Sequence, residues 1–186
     1  MDIGTISSRY AKALMQYAQS TGTEARLYDE VRTLERSFRH HPNLRDALNN
    51  PILSIREKLQ LITTATVGEG EASREWGRFV TLVLRNRREQ HLQYICLSFL
   101  KLYRKNHHIA TVKLITAVPP RRATWERIRK KARKFLHANI ELHTETDPAI
   151  EGGFIIELAD YRLDASIATQ LKRVKKQLIA KNRRIV

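Results

Sequence analysis

A chain of 186 residues holds one large or two small domains, and its 42% hydrophobic content suffices for true cores, which excludes wholesale disorder. No apolar run approaches the ~18 residues needed to span a bilayer, and residues 1–20 lack the charged-then-apolar form of a secretory signal. The net charge of +15 points to an anionic partner, whether nucleic acid, a lipid surface or an acidic protein, while the single Cys96 excludes an internal disulfide framework and favours a reducing compartment.

Thr5 offers an N-cap for a first helix, in which Ile6, Tyr10, Ala13, Leu14 and Tyr17 repeat at helical spacing until Gly22 stops it. Small residues (Ala11, Ala13, Ala18) beside two tyrosines make this face shallow as well as apolar. Ordinary core packing and a groove for a partner helix both fit that pattern. A second helix, Glu24 to Arg39, carries Leu27, Tyr28, Val31, Leu34 and Phe38 on one side and ends at His40-His41-Pro42. A short third helix holds Leu44, Ala47 and Leu48 before Asn49-Asn50-Pro51 breaks the chain. Ser54 and Glu57 form a capping box that opens a fourth helix with Leu59, Ile62 and Ala65. Ser73 caps a fifth, which buries some of Trp76, Phe79, Val80, Val83 and Leu84. Leu82 lies toward another side, so the apolar band is wider than one core contact needs. After Arg85-Asn86-Arg87-Arg88 a sixth helix sets Leu92, Ile95, Phe99, Leu102 and Tyr103 in register. Residues 1–106 thus read as a six-helix bundle.

Beyond Asn106 the period changes. Ala110, Val112, Leu114, Thr116 and Val118 alternate as one face of a strand that Pro119-Pro120 ends. A basic helix follows, capped by Thr124, with Trp125, Ile128, Ala132, Phe135 and Leu136 inward. Ile140, Leu142 and Thr144 alternate again. Gly152-Gly153 marks a turn that tolerates unusual backbone angles, and Phe154 to Leu158 is a short, mostly buried strand. Ala159-Asp160 turns the chain into Tyr161-Arg162-Leu163, a second short strand. Asp164 or Ser166 caps a last helix, with Ile167, Leu171, Val174 and Leu178 along one face. Residues 107–186 therefore read as a small α/β domain with a short sheet and two helices, and the chain as a whole as α+β.

Catalysis leaves no recognisable constellation. There is no phosphate-cradling Gly-rich loop, no His pair at metal-ligand spacing on one helix face and no Cys pair. Glu141, Glu145, Asp147 and Glu151 lack the alternating ligand spacing of a calcium loop. Neither a cofactor nor a metal is expected, and Cys96 reads as a small core residue. The basic helices keep an alternative open, a nucleic-acid-binding α/β protein. The strands lack the paired aromatics of an RNA-recognition sheet, since only Phe154 and Tyr161 are available.

Several stretches resemble, in the same order, the δ subunit of F-type ATP synthases, the family called OSCP in mitochondria. They are ISSRYAKALMQYA, NPILSIREKLQLI, LRNRREQHLQYICLSFLKLY and the closing segment from Asp147 to Leu178. Where the family often has Asn-Gly-Arg, this chain has Asn86-Arg87-Arg88, and Asn86 is expected to supply the left-handed angle. The resemblance implies a non-catalytic subunit of the peripheral stalk, or stator, which holds the catalytic head against the turning rotor. It implies that residues 1–106 bind the N-terminal helices of α subunits and that residues 107–186 meet the b subunit. It also implies a peripheral protein on the cytoplasmic side of a bacterial inner membrane, since the chain starts at its first helix. Helices one and five carry the α contact in the family. Apolar spacing then selects Tyr10, Ala13, Leu14 and Tyr17 on the first, with Phe79, Leu82 and Val83 on the fifth, as the groove. The basic face of the second domain is expected to meet acidic residues of the b subunit.

Overall fold

The computed structural model describes residues 3–68, 70–119, 126, 139–158 and 161–182. Two compact units divide between Asn106 and His107.

The first unit is helical: α1 (Ile3–Thr21), α2 (Glu24–His40), α3 (Asn43–Asn49), α4 (Ile55–Val67), α5 (Arg74–Arg85) and α6 (Leu92–Asn106), with a 3-10 turn at Glu89–His91. Each boundary has a local cause. Helix α1 already includes Thr5, so Thr5 is not its cap; the Ser7 hydroxyl donates to the Ile3 carbonyl one turn back (2.8 Å). Gly22, at φ +65°, ends that helix. Ser54 and Glu57 close the capping box at α4, and the Ser73 hydroxyl accepts from the Trp76 amide at α5. The turn after α5 corrects the sequence reading. Asn86 stays at φ −82°, and it is Arg87, at φ +52°, that adopts the left-handed angle. Arg87, a residue with a side chain, thus carries a backbone angle that glycine adopts more readily.

The core of this unit is built from fully buried Leu14, Leu27, Val31, Leu34, Leu48, Ile62, Trp76, Val80, Leu92, Ile95 and Phe99. Tyr28 stacks on Tyr103 with centroids 4.1 Å apart, joining α2 to α6. Buried polar groups act as pins between elements. The Glu30 carboxylate accepts both the amide (2.7 Å) and the hydroxyl (2.5 Å) of Ser73, and Lys58 donates to Glu89 at 2.8 Å. Both pairings follow from the rule that polar groups leave water only with partners.

The second unit holds a four-stranded sheet ordered β2-β1-β3-β4, comprising β1 (Ile109–Thr116), β2 (Asn139–Thr146), β3 (Phe154–Leu158) and β4 (Tyr161–Asp164). Strands β1 and β2 run parallel, with Val112 opposite Leu142, while β3 is antiparallel to both β1 and β4. Val112 and Leu114 are buried on one face of β1, and Ile115 packs with Ile150 and Ile155 on the other. Val118 lies beyond the end of β1 and is exposed. The basic helix expected from Thr124 to Leu136 and the turn at Ala159-Asp160 lie outside the described residues.

The closing helix α7 (Ile167–Asn182) starts against the glycine pair. Gly152 and Gly153 have φ of +155° and +74°. A Cβ on Gly153 would sit 2.2 Å from the Ala165 carbonyl oxygen, and one on Gly152 would sit 2.6 Å from Ile167 Cδ1. The pair is therefore required by close approach as well as by angle. Asp164 and Ser166 share the cap: the Ser166 hydroxyl accepts from the Thr169 amide (3.2 Å) while Asp164 accepts from the Ser166 amide (3.0 Å) and hydroxyl (2.6 Å). These bonds, the Ser166 hydroxyl's first, hold the Asp164 carboxyl below the usual carboxylate range.

Candidate partner-binding face

Helices α1 and α5 lie side by side and antiparallel. The Asn86 side-chain amide donates to the Tyr10 hydroxyl (3.0 Å), and the Arg78 guanidinium donates to the Tyr17 hydroxyl (3.3 Å). Tyr10 also meets Phe79 edge-on, with centroids 6.4 Å apart and planes at 72°. The two hydrogen bonds pair Tyr10 with Asn86 and Tyr17 with Arg78, and Leu82 lies midway along α5 between the two tied positions.

The seven residues selected from the sequence divide into two layers. Tyr10 and Tyr17 are half-buried, Ala13 is exposed and Leu82 is 50% exposed, so these four reach the surface. Leu14, Phe79 and Val83 are no more than 5% exposed and belong to the core. They offer nothing for a partner to touch and serve as the floor. The physical reason is the angular spread of an apolar band: residues at its centre face inward, and only the flanks remain open.

The result is a shallow strip with an aromatic at each end, a small residue and an aliphatic one in the middle, and a polar tie closing either end. The ties that Arg78 and Asn86 make to the tyrosines were not legible in the sequence because they depend on the helix pairing. Holding both phenol hydroxyls, they present ring edges in fixed positions and leave little side-chain freedom to lose on binding. Such a strip suits an amphipathic helix laid along it.

Chemistry is absent from this face. Among the described residues no group of three or more His, Cys, Asp or Glu side chains is brought together. Cys96 is buried in α6, and burial raises its thiol far above the ordinary range, so it is not a nucleophile. Of the acidic residues between Glu141 and Glu151, Glu145 pairs with Lys113 (2.6 Å) and Asp147 accepts from the Ala149 amide (2.9 Å).

The chain is similar to known proteins in sequence and in fold. The family described as ATP synthase delta (OSCP) subunit matches residues 6–178. An ATP synthase subunit delta of Bacteroides thetaiotaomicron is 61% identical over the full length of both chains. One from Bacteroides fragilis is 57% identical, again over both full lengths. Among solved structures, a chain of the Toxoplasma gondii mitochondrial ATP synthase hexamer shares the fold with a TM-score of 0.67 at 21% identity, covering 93% of this chain and 97% of that one. The chain belongs to the ATP synthase delta (OSCP) subunit family.

Proposed function

We propose that the strip of Tyr10, Ala13, Tyr17 and Leu82 receives an amphipathic helix from the N-terminus of an α subunit, and that residues 107–186 join the b subunit. As a delta subunit the protein is a non-catalytic part of the ATP synthase stator. A stator transmits torque by contact and makes no bonds, so its working parts are interfaces. The observation that carries the reading is Leu82, half exposed between two tethered tyrosines above a continuous apolar floor. Covering it gains affinity at ~25 cal/mol per Å² of apolar surface before association costs are subtracted.

In the second unit, α7 carries Ile167, Leu171, Val174 and Leu178, each between 45% and 58% exposed, at helical spacing. That stripe offers the b subunit an apolar seam, and the exposed Lys172, Arg173, Lys175 and Lys176 beside it would speed encounter with acidic residues. Raised salt should then slow association with b; an unchanged rate would remove the steering. No helix among the described residues is long and apolar enough to cross a membrane. The proposed place is accordingly peripheral, on the cytoplasmic face of a bacterial inner membrane, held there through the complex.

Calorimetric titration of the full-length chain with a peptide copying the N-terminal helix of the cognate α subunit tests the assignment. Saturable binding that Leu82→Asp abolishes is expected. Binding unaffected by Leu82→Asp, with the variant folded, would overturn it.

A further inference from the structure

The opposite flank of α1 carries a different kind of surface. Ser8 and Lys12 lie one turn apart there and face Ser98, Lys101 and Lys105 of α6 across a cleft of about 320 Å³, with Ala11 and Leu102 at its base. The cleft continues past Ser8 and Lys12 to Arg9 and Thr5. Neither α1 nor α6 contains a single Asp or Glu. Among the described residues no carboxylate pairs with Lys12, Lys101 or Lys105, whereas Arg26, Arg39 and Lys58 of the same unit each pair with a glutamate. The Arg104 guanidinium, by contrast, is already engaged over the Tyr28 ring at 5.8 Å.

We propose that this α1–α6 cleft binds a short acidic peptide segment of another protein, one with aliphatic residues between its carboxylates. Three lysines from two walls, unopposed by acid, create a positive potential that a low-dielectric cleft concentrates. The two serine hydroxyls add donors to a carboxylate, and Leu102 with Ala11 gives an aliphatic side chain somewhere to lie. A peptide fits better than the other polyanions. A membrane surface is flat and meets convex patches, whereas these lysines line a recess. A nucleic acid needs a long basic stripe or aromatic stacking platforms, and no aromatic lines this cleft. The inference goes beyond the strip on α1 and α5, because the two lie on opposite flanks of one helix and can be occupied together.

The test uses the full-length chain and a fluorescent probe peptide, Glu-Leu-Glu-Glu-Leu-Glu with blocked ends, at about 150 mM salt to screen the general field of the basic protein. The double variant Lys12→Glu, Lys101→Glu is expected to weaken binding by at least about ten-fold. An equal charge reversal elsewhere, Lys172→Glu with Lys175→Glu on α7, and the variant Leu82→Asp are each expected to change it by less than about two-fold. All of these side chains are exposed, and circular dichroism verifies the folds; Lys101→Gln, which removes one charge without reversing it, should show an intermediate loss. Equal weakening by the two double reversals would mean a diffuse field and would overturn the site. Tighter binding of tripolyphosphate, single-stranded DNA or phosphatidylglycerol vesicles, lost in the same Lys12, Lys101 variant, would overturn the peptide as its ligand. Loss of the probe with Leu82→Asp would also overturn it, by placing the probe on the other flank, and would leave the α-helix assignment standing.

Discussion

Leu82 and Val83 are adjacent on α5 and similar in chemistry, yet the structure gives them opposite parts. Leu82 is 50% exposed, so a partner helix covering its other half gains about 1 kcal/mol, half of the ~1.5–3 kcal/mol of a fully buried side chain. Leu82→Ala should therefore weaken α-peptide binding about five-fold and leave folding stability within ~0.5 kcal/mol of the parent. Val83 is fully buried. Val83→Ala opens a cavity and should cost on the order of 1–3 kcal/mol of stability, with the affinity of the folded protein unchanged. Calorimetry gives the affinity, and urea unfolding followed by circular dichroism gives the stability. The reasoning is refuted if Leu82→Ala leaves the dissociation constant untouched. It is equally refuted if Val83→Ala weakens binding while the protein stays folded.

Gly153→Ala should destabilise the second unit by more than ~2 kcal/mol and lower its melting midpoint, because the added Cβ meets a backbone carbonyl at 2.2 Å; a wild-type melting curve would contradict the joint. Asp164 titrates below free aspartate, so its contribution to stability is present above the unfolded carboxylate range and is lost as pH falls through the lower folded value. In a carboxyl NMR titration Ser166→Ala should move that midpoint upward toward the ordinary one, and an unmoved midpoint would deny the cap its role. Cys96 should resist a water-soluble disulfide reagent in the native protein and react fully in denaturant; rapid native labelling would contradict its burial.

Local chemistry was readable from the chain wherever it acts over a few residues. The capping box at Ser54 and the cap at Ser73 depend on neighbours in sequence, and the Gly152-Gly153 pair marked a turn, although its close approach to Ala165 and Ile167 was not legible. Pairing was not readable. Alternation in Ile109–Thr116 and Asn139–Thr146 marks two strands but says nothing of their parallel register. The groove was legible in part. The helical spacing already set Leu82 apart from Phe79 and Val83 on α5, but on α1 Leu14 shares the apolar spacing of Tyr10 and Tyr17, and the packed helices decide that it faces inward. At Arg87 the general preference for glycine or asparagine at a left-handed angle pointed to Asn86, and the turn placed that angle one residue later.

The most direct measurement is a site-specific cross-link within the assembled ATP synthase. The buried Cys96 leaves a quiet background, so a cysteine introduced at Ala13 can carry a benzophenone label on the exposed middle of the strip. Irradiation should join the label at Ala13→Cys to the N-terminal segment of an α subunit, identified by mass spectrometry. An adduct with b alone, or none at Ala13 when a label at Arg36→Cys on the exposed side of α2 captures α, would contradict the docking strip.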